Sequence, residues 1–244
     1  MGCACGSASN RECGTRLSDQ AIRVVIADDQ PVIVAGFRLM LDEETDIEVV
    51  GTATDGLAAV ATTAQLRPDV VLMDIRMPGV DGIEATRRIL DADSADAVLM
   101  ITTFDDEEYL RESAHAGASG FLLKNAGPDL LAAAVRSAAR GDALIDPAMT
   151  RVLLERSASS TPTELVSAEY VSRLGALTER ERDVLTLVAQ GLSNGEVGKR
   201  LFLGEATIKT HLANIFTKVG ARSRVGAVMF AYESGFLRPH WVTG

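Results

Sequence analysis

Val70-Val71-Leu72-Met73-Asp74-Ile75-Arg76-Met77-Pro78-Gly79-Val80-Asp81-Gly82 is the stretch that decides the fold. Its opening apolar run shows no polar alternation, so both of its sides are covered, as in a strand of a parallel sheet. The run ends on a carboxylate, Asp74, and turns through Pro78-Gly79, a pair that punctuates elements. Open α/β sheets bind ligands beyond the carboxyl ends of their strands, so Asp74 stands where chemistry is done. Taken alone the signal is weak, because an Asp after a strand also starts turns and caps helices.

Working outward, three more apolar runs repeat the arrangement. Ile22-Arg23-Val24-Val25-Ile26-Ala27 ends on Asp28-Asp29, Val98-Leu99-Met100-Ile101 on Thr102, and Gly120-Phe121-Leu122-Leu123 on Lys124. A fifth strand is expected over 47–54. Between them, helices are expected over 31–44, with Pro31 in the first turn and Val34, Phe37 and Leu41 on one face, and over 56–66, 81–91, 105–116 and 127–140. Alternation of this kind specifies an α/β doubly wound five-stranded parallel sheet over 22–141, with right-handed crossovers and helices on both faces.

The chain of 244 residues has room for a second domain. No apolar stretch is long enough to span a bilayer and the first residues lack the apolar core of a secretory signal, which points to a cytoplasmic protein with no membrane partner. The net charge of -10 is unevenly placed: 22–151 carries 11 basic and 23 acidic side chains, whereas 172–244 carries 10 and 6. A basic C-terminal segment on an acidic chain suits nucleic-acid binding. Residues 1–21, rich in Gly, Ser and Ala, have the composition of a disordered tail; Cys3, Cys5 and Cys13 have no His or fourth Cys nearby to complete a tetrahedral metal site. A linker is expected over 142–173, including a short helix at 147–156 and the run Ser157-Ala158-Ser159-Ser160-Thr161-Pro162-Thr163.

Beyond the linker, 174–238 reads as a small all-α domain of four helices. Thr178-Glu179-Arg180-Glu181 is a capping box, followed by Val184, Leu185, Leu187 and Val188 and stopped at Gly191; Ser193 to Glu196 repeats the device. A third helix runs over 205–219 to Gly220, and a fourth over 223–234. Two short helices leading into a longer one read as helix-turn-helix. In the third helix Ile208, Leu212, Ile215, Phe216 and Val219 form an apolar stripe. The opposite face, with Ala206, Thr210, Ala213, Asn214 and Thr217 beside Lys209, is small and uncharged enough for a major groove. There Thr210 suits a base edge or thymine methyl, Asn214 adenine, and Lys209 guanine or phosphate.

Two resemblances follow from these motifs. Asp28-Asp29, the turn Asp74-x-x-Met77-Pro78-Gly79-x-Asp81-Gly82, Thr102, and Gly117-Ala118-Ser119-Gly120-Phe121-Leu122-Leu123-Lys124 resemble the receiver domain of two-component response regulators, a flavodoxin-like fold. Leu177 to Leu185 and Ala206-Thr207-Ile208-Lys209-Thr210-His211 resemble the LuxR-type DNA-binding domain, which joined to a receiver defines the NarL/FixJ subfamily. The first resemblance implies strand order 2-1-3-4-5, a phosphoacceptor at Asp74, and Mg²⁺ held by Asp29, Asp74 and the backbone carbonyl of Arg76, with Asp28 acting through water. It also implies that Lys124 and Thr102 engage the phosphoryl oxygens and that Thr102 and Phe121 switch. The second implies that the helix from Glu205 reads DNA through Lys209, Thr210, Ala213 and Asn214, with His211 structural or phosphate-contacting, and that the last helix pairs two domains. The partners implied are a sensor histidine kinase, promoter DNA with paired half-sites, and a second copy on phosphorylation; RNA polymerase is a further candidate.

The chemistry is consistent with the first resemblance. Three carboxylates in one crevice repel one another unless a cation neutralises them, and hard oxygen donors in an incomplete shell suit Mg²⁺. Asp74 is then a carboxylate nucleophile forming an acyl phosphate. Haloacid dehalogenase-like phosphatases use similar parts, but carry a second Asp two positions after the nucleophile, where this chain has Arg76. Lacking that acid-base group, the expectation is a phosphoryl-holding regulator and not a turnover enzyme; a constitutive regulator with an unused receiver is the remaining alternative. Two departures from the LuxR-type pattern, Gly204 at the cap of the recognition helix and Gly198 in place of Ala, are expected to weaken that domain slightly.

Overall fold

The computed structural model describes residues 21–103, 109–144 and 168–237. The cysteine-bearing tail and the helix expected at 147–156 lie outside them, as does the start of the helix expected at 105–116.

Strands β1 (Ile22–Ala27), β2 (Ile47–Ala53), β3 (Val70–Asp74), β4 (Ala97–Thr102) and β5 (Gly120–Leu123) form one parallel sheet in the order β2-β1-β3-β4-β5. The uninterrupted apolar runs are explained by what covers them. Val25, Val71, Met73, Val98, Met100, Phe121 and Leu123 face one layer, built from α2 (Gly56–Leu66), α3 (Gly82–Asp91) and α4 (Tyr109–Ala116) through Ala59, Ile83, Ile89, Leu110 and Ala114. Val24, Ile26, Val70, Leu72, Leu99, Ile101 and Leu122 face the other, built from α1 (Pro31–Asp42) and α5 (Pro128–Ala139) through Phe37, Leu41, Leu131 and Val135. Every residue of β3 is buried. Helix ends differ from expectation by one or two residues because the terminal polar residues serve as caps: Asp81, read as the first residue of α3, is its N-cap and accepts from Glu84 N–H at 2.8 Å.

The C-terminal part holds α6 (Ala168–Gly175), α7 (Glu179–Ala189), α8 (Asn194–Leu201), α9 (Glu205–Val219) and α10 (Arg224–Glu233). Four of these were expected; α6 was assigned to the linker. It packs by one edge, with Tyr170 against Phe230 at 5.4 Å between ring centroids and Arg173 donating to the Val219 carbonyl at 3.0 Å. None of its residues is fully buried; Tyr170 and Leu174 pack partly buried against the helical core, and a segment of eight residues is too short for its spacing to separate it from a linker. Both capping boxes form, at Thr178–Glu181 and Ser193–Glu196. Glu181, 3 % exposed, also takes the Lys218 ammonium at 2.7 Å, tying α7 to α9.

At Gly198 the propensity cost has a packing counterpart: a methyl there would lie 2.7 Å from the Leu203 carbonyl, so in this chain the turn between α8 and α9 sits closer than an Ala would allow without a shift.

The two parts touch through α10. Ala227, Phe230 and Ala231 point into the helical core, whereas Val225 and Met229, on another face, enter the apolar layer of α3 and α4. Polar contacts frame this patch: Ser223 Oγ donates to the Ala118 carbonyl at 2.7 Å, Arg222 pairs with Asp91 at 2.5 Å, and Arg111 with Glu233 at 3.0 Å. Buried Arg224 joins Asn194 at 2.9 Å and faces Asp142 at 3.7 Å, and burial lowers its pKa against the opposing charges of Asp142 and Glu196.

Candidate functional site

Adjacent β1 and β3 deliver Asp28, Asp29 and Asp74 to one crevice, with carboxylate oxygens within 4.8 Å of one another. Asp28 and Asp74 are each 2 % exposed, while Asp29 faces solvent. The turn after β3 is folded tightly back: Gly82 N–H donates to the Ile75 carbonyl at 2.9 Å, and a Cβ on Gly82 would sit 1.9 Å from the Asp74 carbonyl oxygen. Glycine at this position is therefore a condition for α3 to start beside the phosphoacceptor candidate.

From β5, Lys124 reaches across the sheet end and places Nζ 2.9 Å from both Asp28 Oδ2 and Asp74 Oδ2. Asp28 Oδ1 accepts from Gln30 N–H at 2.8 Å, which fixes the carboxylate. Its Oδ2 is buried and has the Lys124 ammonium as its ionic partner. Burial pushes the Asp74 carboxyl up to about 6 against the pull of Lys124, with the charge of Asp28 adding to the rise. For Lys124, burial opposes the charge, and the contacts with Asp28 and Asp74 outweigh it, leaving the ammonium above its ordinary value. One ammonium does not neutralise three carboxylates. Three clustered carboxylates, two of them buried, form a hard-oxygen donor set that a small divalent cation such as Mg²⁺ fits.

The remaining residues line the same end. Thr102 is buried at the tip of β4 with its hydroxyl donating to the Thr103 carbonyl at 3.0 Å. Phe121 is fully buried on the α3–α4 side of the sheet, so its ring already occupies the interior. The Arg76 guanidinium lies over the Tyr109 ring, 5.5 Å from its centroid, joining the turn after β3 to α4. Sequence reasoning missed this pair, as it missed Arg222, Ser223, Val225, Met229 and Asp142 at the contact between the two parts. Tertiary packing creates those roles; only the closely spaced Arg222-Ser223-Arg224 hints at them.

In the helical part, Ile208, Leu212, Ile215 and Val219 are buried, while Lys209, Thr210, Ala213 and Asn214 are exposed and His211 is half-buried at the edge of the stripe. Gly204 provides no side-chain cap. The expected reading face of α9 is therefore open to solvent, even though α10 is engaged by the receiver-like part. Among the described residues no helix is long and apolar enough to cross a membrane.

An acidic strand-end cluster with a bridging lysine on a 2-1-3-4-5 parallel sheet, joined to a helix-turn-helix, defines a DNA-binding response regulator. Comparison with known proteins agrees: residues 24–136 match the response regulator receiver domain, and residues 175–231 match bacterial regulatory proteins of the luxR family. The chain is similar to the transcriptional regulatory protein YxjL of Bacillus subtilis, 38 % identical over 91 % of this chain and 100 % of that protein. It is also similar to the oxygen regulatory protein NreC of Staphylococcus carnosus, 37 % identical over 88 % of this chain and 99 % of that one. Among solved structures, a two-component response regulator of the LuxR family from Aurantimonas is 30 % identical, with a TM-score of 0.53, over 57 % of this chain and 99 % of that one. The chain belongs to the response regulators that join a receiver domain to a LuxR-type DNA-binding domain, and it is a transcription regulator, not an enzyme in the ordinary sense.

Proposed function

We propose that Asp74 accepts a phosphoryl group from a sensor histidine kinase and that this modification governs pairing of the DNA-binding domains on promoter DNA. The observation that carries the reading is the Asp28–Asp74–Lys124 cluster at the sheet end. In the transfer, an Asp74 carboxylate oxygen bonds to phosphorus. The bond from phosphorus to the donor imidazole nitrogen breaks, and the leaving imidazole keeps the electron pair. Asp28, Asp29, Asp74 and the backbone carbonyl of Arg76 are the residues that would hold Mg²⁺, whose chemistry when bound is to neutralise charge on the phosphoryl oxygens. Lys124, freed from Asp74, pairs with one of those oxygens, and the Thr102 hydroxyl turns from the Thr103 carbonyl to another.

This reading divides the chain into a receiver over 22–141 and a DNA-binding part over 174–238 extended by α6. Its output rests on α10. With Val225 and Met229 packed on α4, the helix has no free face for a second copy; movement of Thr102 at the tip of β4 loosens that packing and makes the helix available. A shift between closed and open populations from 1:99 to 99:1 takes about 5.5 kcal/mol, which makes a graded response the natural expectation. Thr210, Ala213 and Asn214 then address bases, Lys209 guanine or the adjoining phosphate, and His211 supports the helix or the phosphate contact.

Incubation with Mg²⁺ and a small phosphodonor, followed by intact mass and peptide mapping, tests the first step. One phosphoryl group on the peptide containing Asp74, absent from Asp74→Asn, is expected; label on another residue, or rapid multiple turnover of the donor without label, contradicts it.

A further inference from the structure

Phe202 closes α8 in the left-handed region, at φ 57°, and is 95 % exposed, more than any other large apolar side chain among the described residues. Both choices run against local physics. A bulky residue at positive φ is an outlier where Gly or Asn fits, and a wholly exposed ring gains nothing from burial. The backbone conformation itself has a clear cause: it brings the N–H groups of Phe202 and Leu203 onto the Gly198 carbonyl and closes the turn before α9. The ring has no such cause, since Phe202 takes no part in the helical core. Two local costs at one position mark a residue kept for something outside the domain.

The place in the fold says what that is. In a helix-turn-helix the first helix crosses the sugar-phosphate backbone and the second enters the major groove by its N-terminal end, so the turn between them lies over the backbone at the groove edge. Phe202 sits in that turn, three residues before Glu205 starts α9. It is flanked by exposed Lys199 and Arg200, and Gly204 to Thr207 are exposed beyond it. Glu205, the one acid in this stretch, has Lys209 at 3.9 Å. A basic surround with an apolar centre is complementary to a strand of DNA, whose phosphates alternate with the carbon faces of deoxyribose.

We propose that Phe202 is a DNA-contacting residue whose ring packs against deoxyribose at the edge of the major groove, with Lys199 and Arg200 on the neighbouring phosphates. The contact is sequence-independent and, being apolar, releases no counterion. It rests on α9 being the recognition helix.

The test uses the full chain and a mixed-sequence duplex of about three helical turns, titrated over a range of salt, with Phe202→Gly, Phe202→Tyr and Lys209→Ala beside the wild type. Removing roughly 50 Å² of buried apolar contact weakens Phe202→Gly binding about tenfold. The plot of log K against log salt stays parallel to the wild type. Its thermal midpoint does not fall, because Gly accepts the backbone conformation, and Phe202→Tyr keeps wild-type affinity. Lys209→Ala, by contrast, reduces the salt slope by about one. Unchanged duplex affinity in Phe202→Gly while Lys209→Ala weakens binding overturns the proposal and leaves α9 as the reading helix. A Lys209→Ala variant with wild-type affinity and slope overturns both. Loss of self-association in Phe202→Gly with unchanged duplex affinity also overturns it, assigning the ring to a second copy.

Discussion

Replacing Asp74 with Asn isolates the electrostatic strain at the end of β3. Burial raises the Asp74 carboxyl from an ordinary 3.8 to about 6, Lys124 opposing and Asp28 adding. A carboxyl with a folded pKa above its unfolded one holds its proton more tightly when folded, so stability is highest below the unfolded value and falls as pH rises from about 4 to about 6. At 1.36 kcal/mol per pH unit, the metal-free protein above that window is less stable by about 3 kcal/mol on account of this one group. Asn keeps the shape and removes the charge. Without Mg²⁺ at about pH 8, Asp74→Asn is therefore more stable than the wild type by up to about 3 kcal/mol, on the order of 10 °C in Tm. The gap closes near pH 4, and at pH 8 it narrows when saturating Mg²⁺ is added. Thermal and urea denaturation of the full chain in the presence of chelator measure it. A variant no more stable than the wild type at pH 8, or a gap that persists unchanged at pH 4, refutes the reasoning.

Lys124→Ala removes the cation that holds two buried carboxylates and is expected to lower stability by about 3–5 kcal/mol near pH 8 and by less near pH 5, measured by the same denaturation series. Gly82→Ala drives a methyl into the Asp74 carbonyl; a loss of about 3 kcal/mol, the upper end of the usual overpacking cost, and impaired phosphoryl uptake are expected, read by urea denaturation and intact mass. Met229→Lys places an ammonium in the apolar contact between α10 and α4, so small-angle scattering of the unphosphorylated chain should show a larger radius of gyration with circular dichroism unchanged.

The receiver was legible because its signals are local and repeated. A strand covered on both faces must be apolar throughout, and each such run here ends on the polar residue that the sheet carries to the site, so Asp28, Asp29, Asp74, Thr102 and Lys124 could be placed together before any coordinates. The capping boxes at Thr178 and Ser193 and the stripe from Ile208 to Val219 were legible for the same reason. What escaped depends on contacts between distant segments. Helix α6 is only eight residues long and carries no fully buried residue, so its partial contacts through Tyr170 and Leu174 gave too short a pattern to stand out from the linker. Val225 and Met229 look like any apolar helix positions until α4 is brought against them. Gly198 reads as a poor helix residue by propensity, and only the approach of the Leu203 carbonyl shows that a larger residue would force the turn to shift. Lys124 was expected at the site, but its simultaneous contact with Asp28 and Asp74, which sets the resting charge balance, is a product of geometry.

The most direct test of the central claim is the affinity of the full chain for promoter duplex DNA, measured together with mass and oligomeric state, before and after treatment with Mg²⁺ and a small phosphodonor, for the wild type and Asp74→Asn. The account predicts that the wild type gains one phosphoryl group, pairs, and binds DNA more tightly, while Asp74→Asn does none of these. Equal affinity and equal oligomeric state for the phosphorylated and unphosphorylated wild type would contradict it.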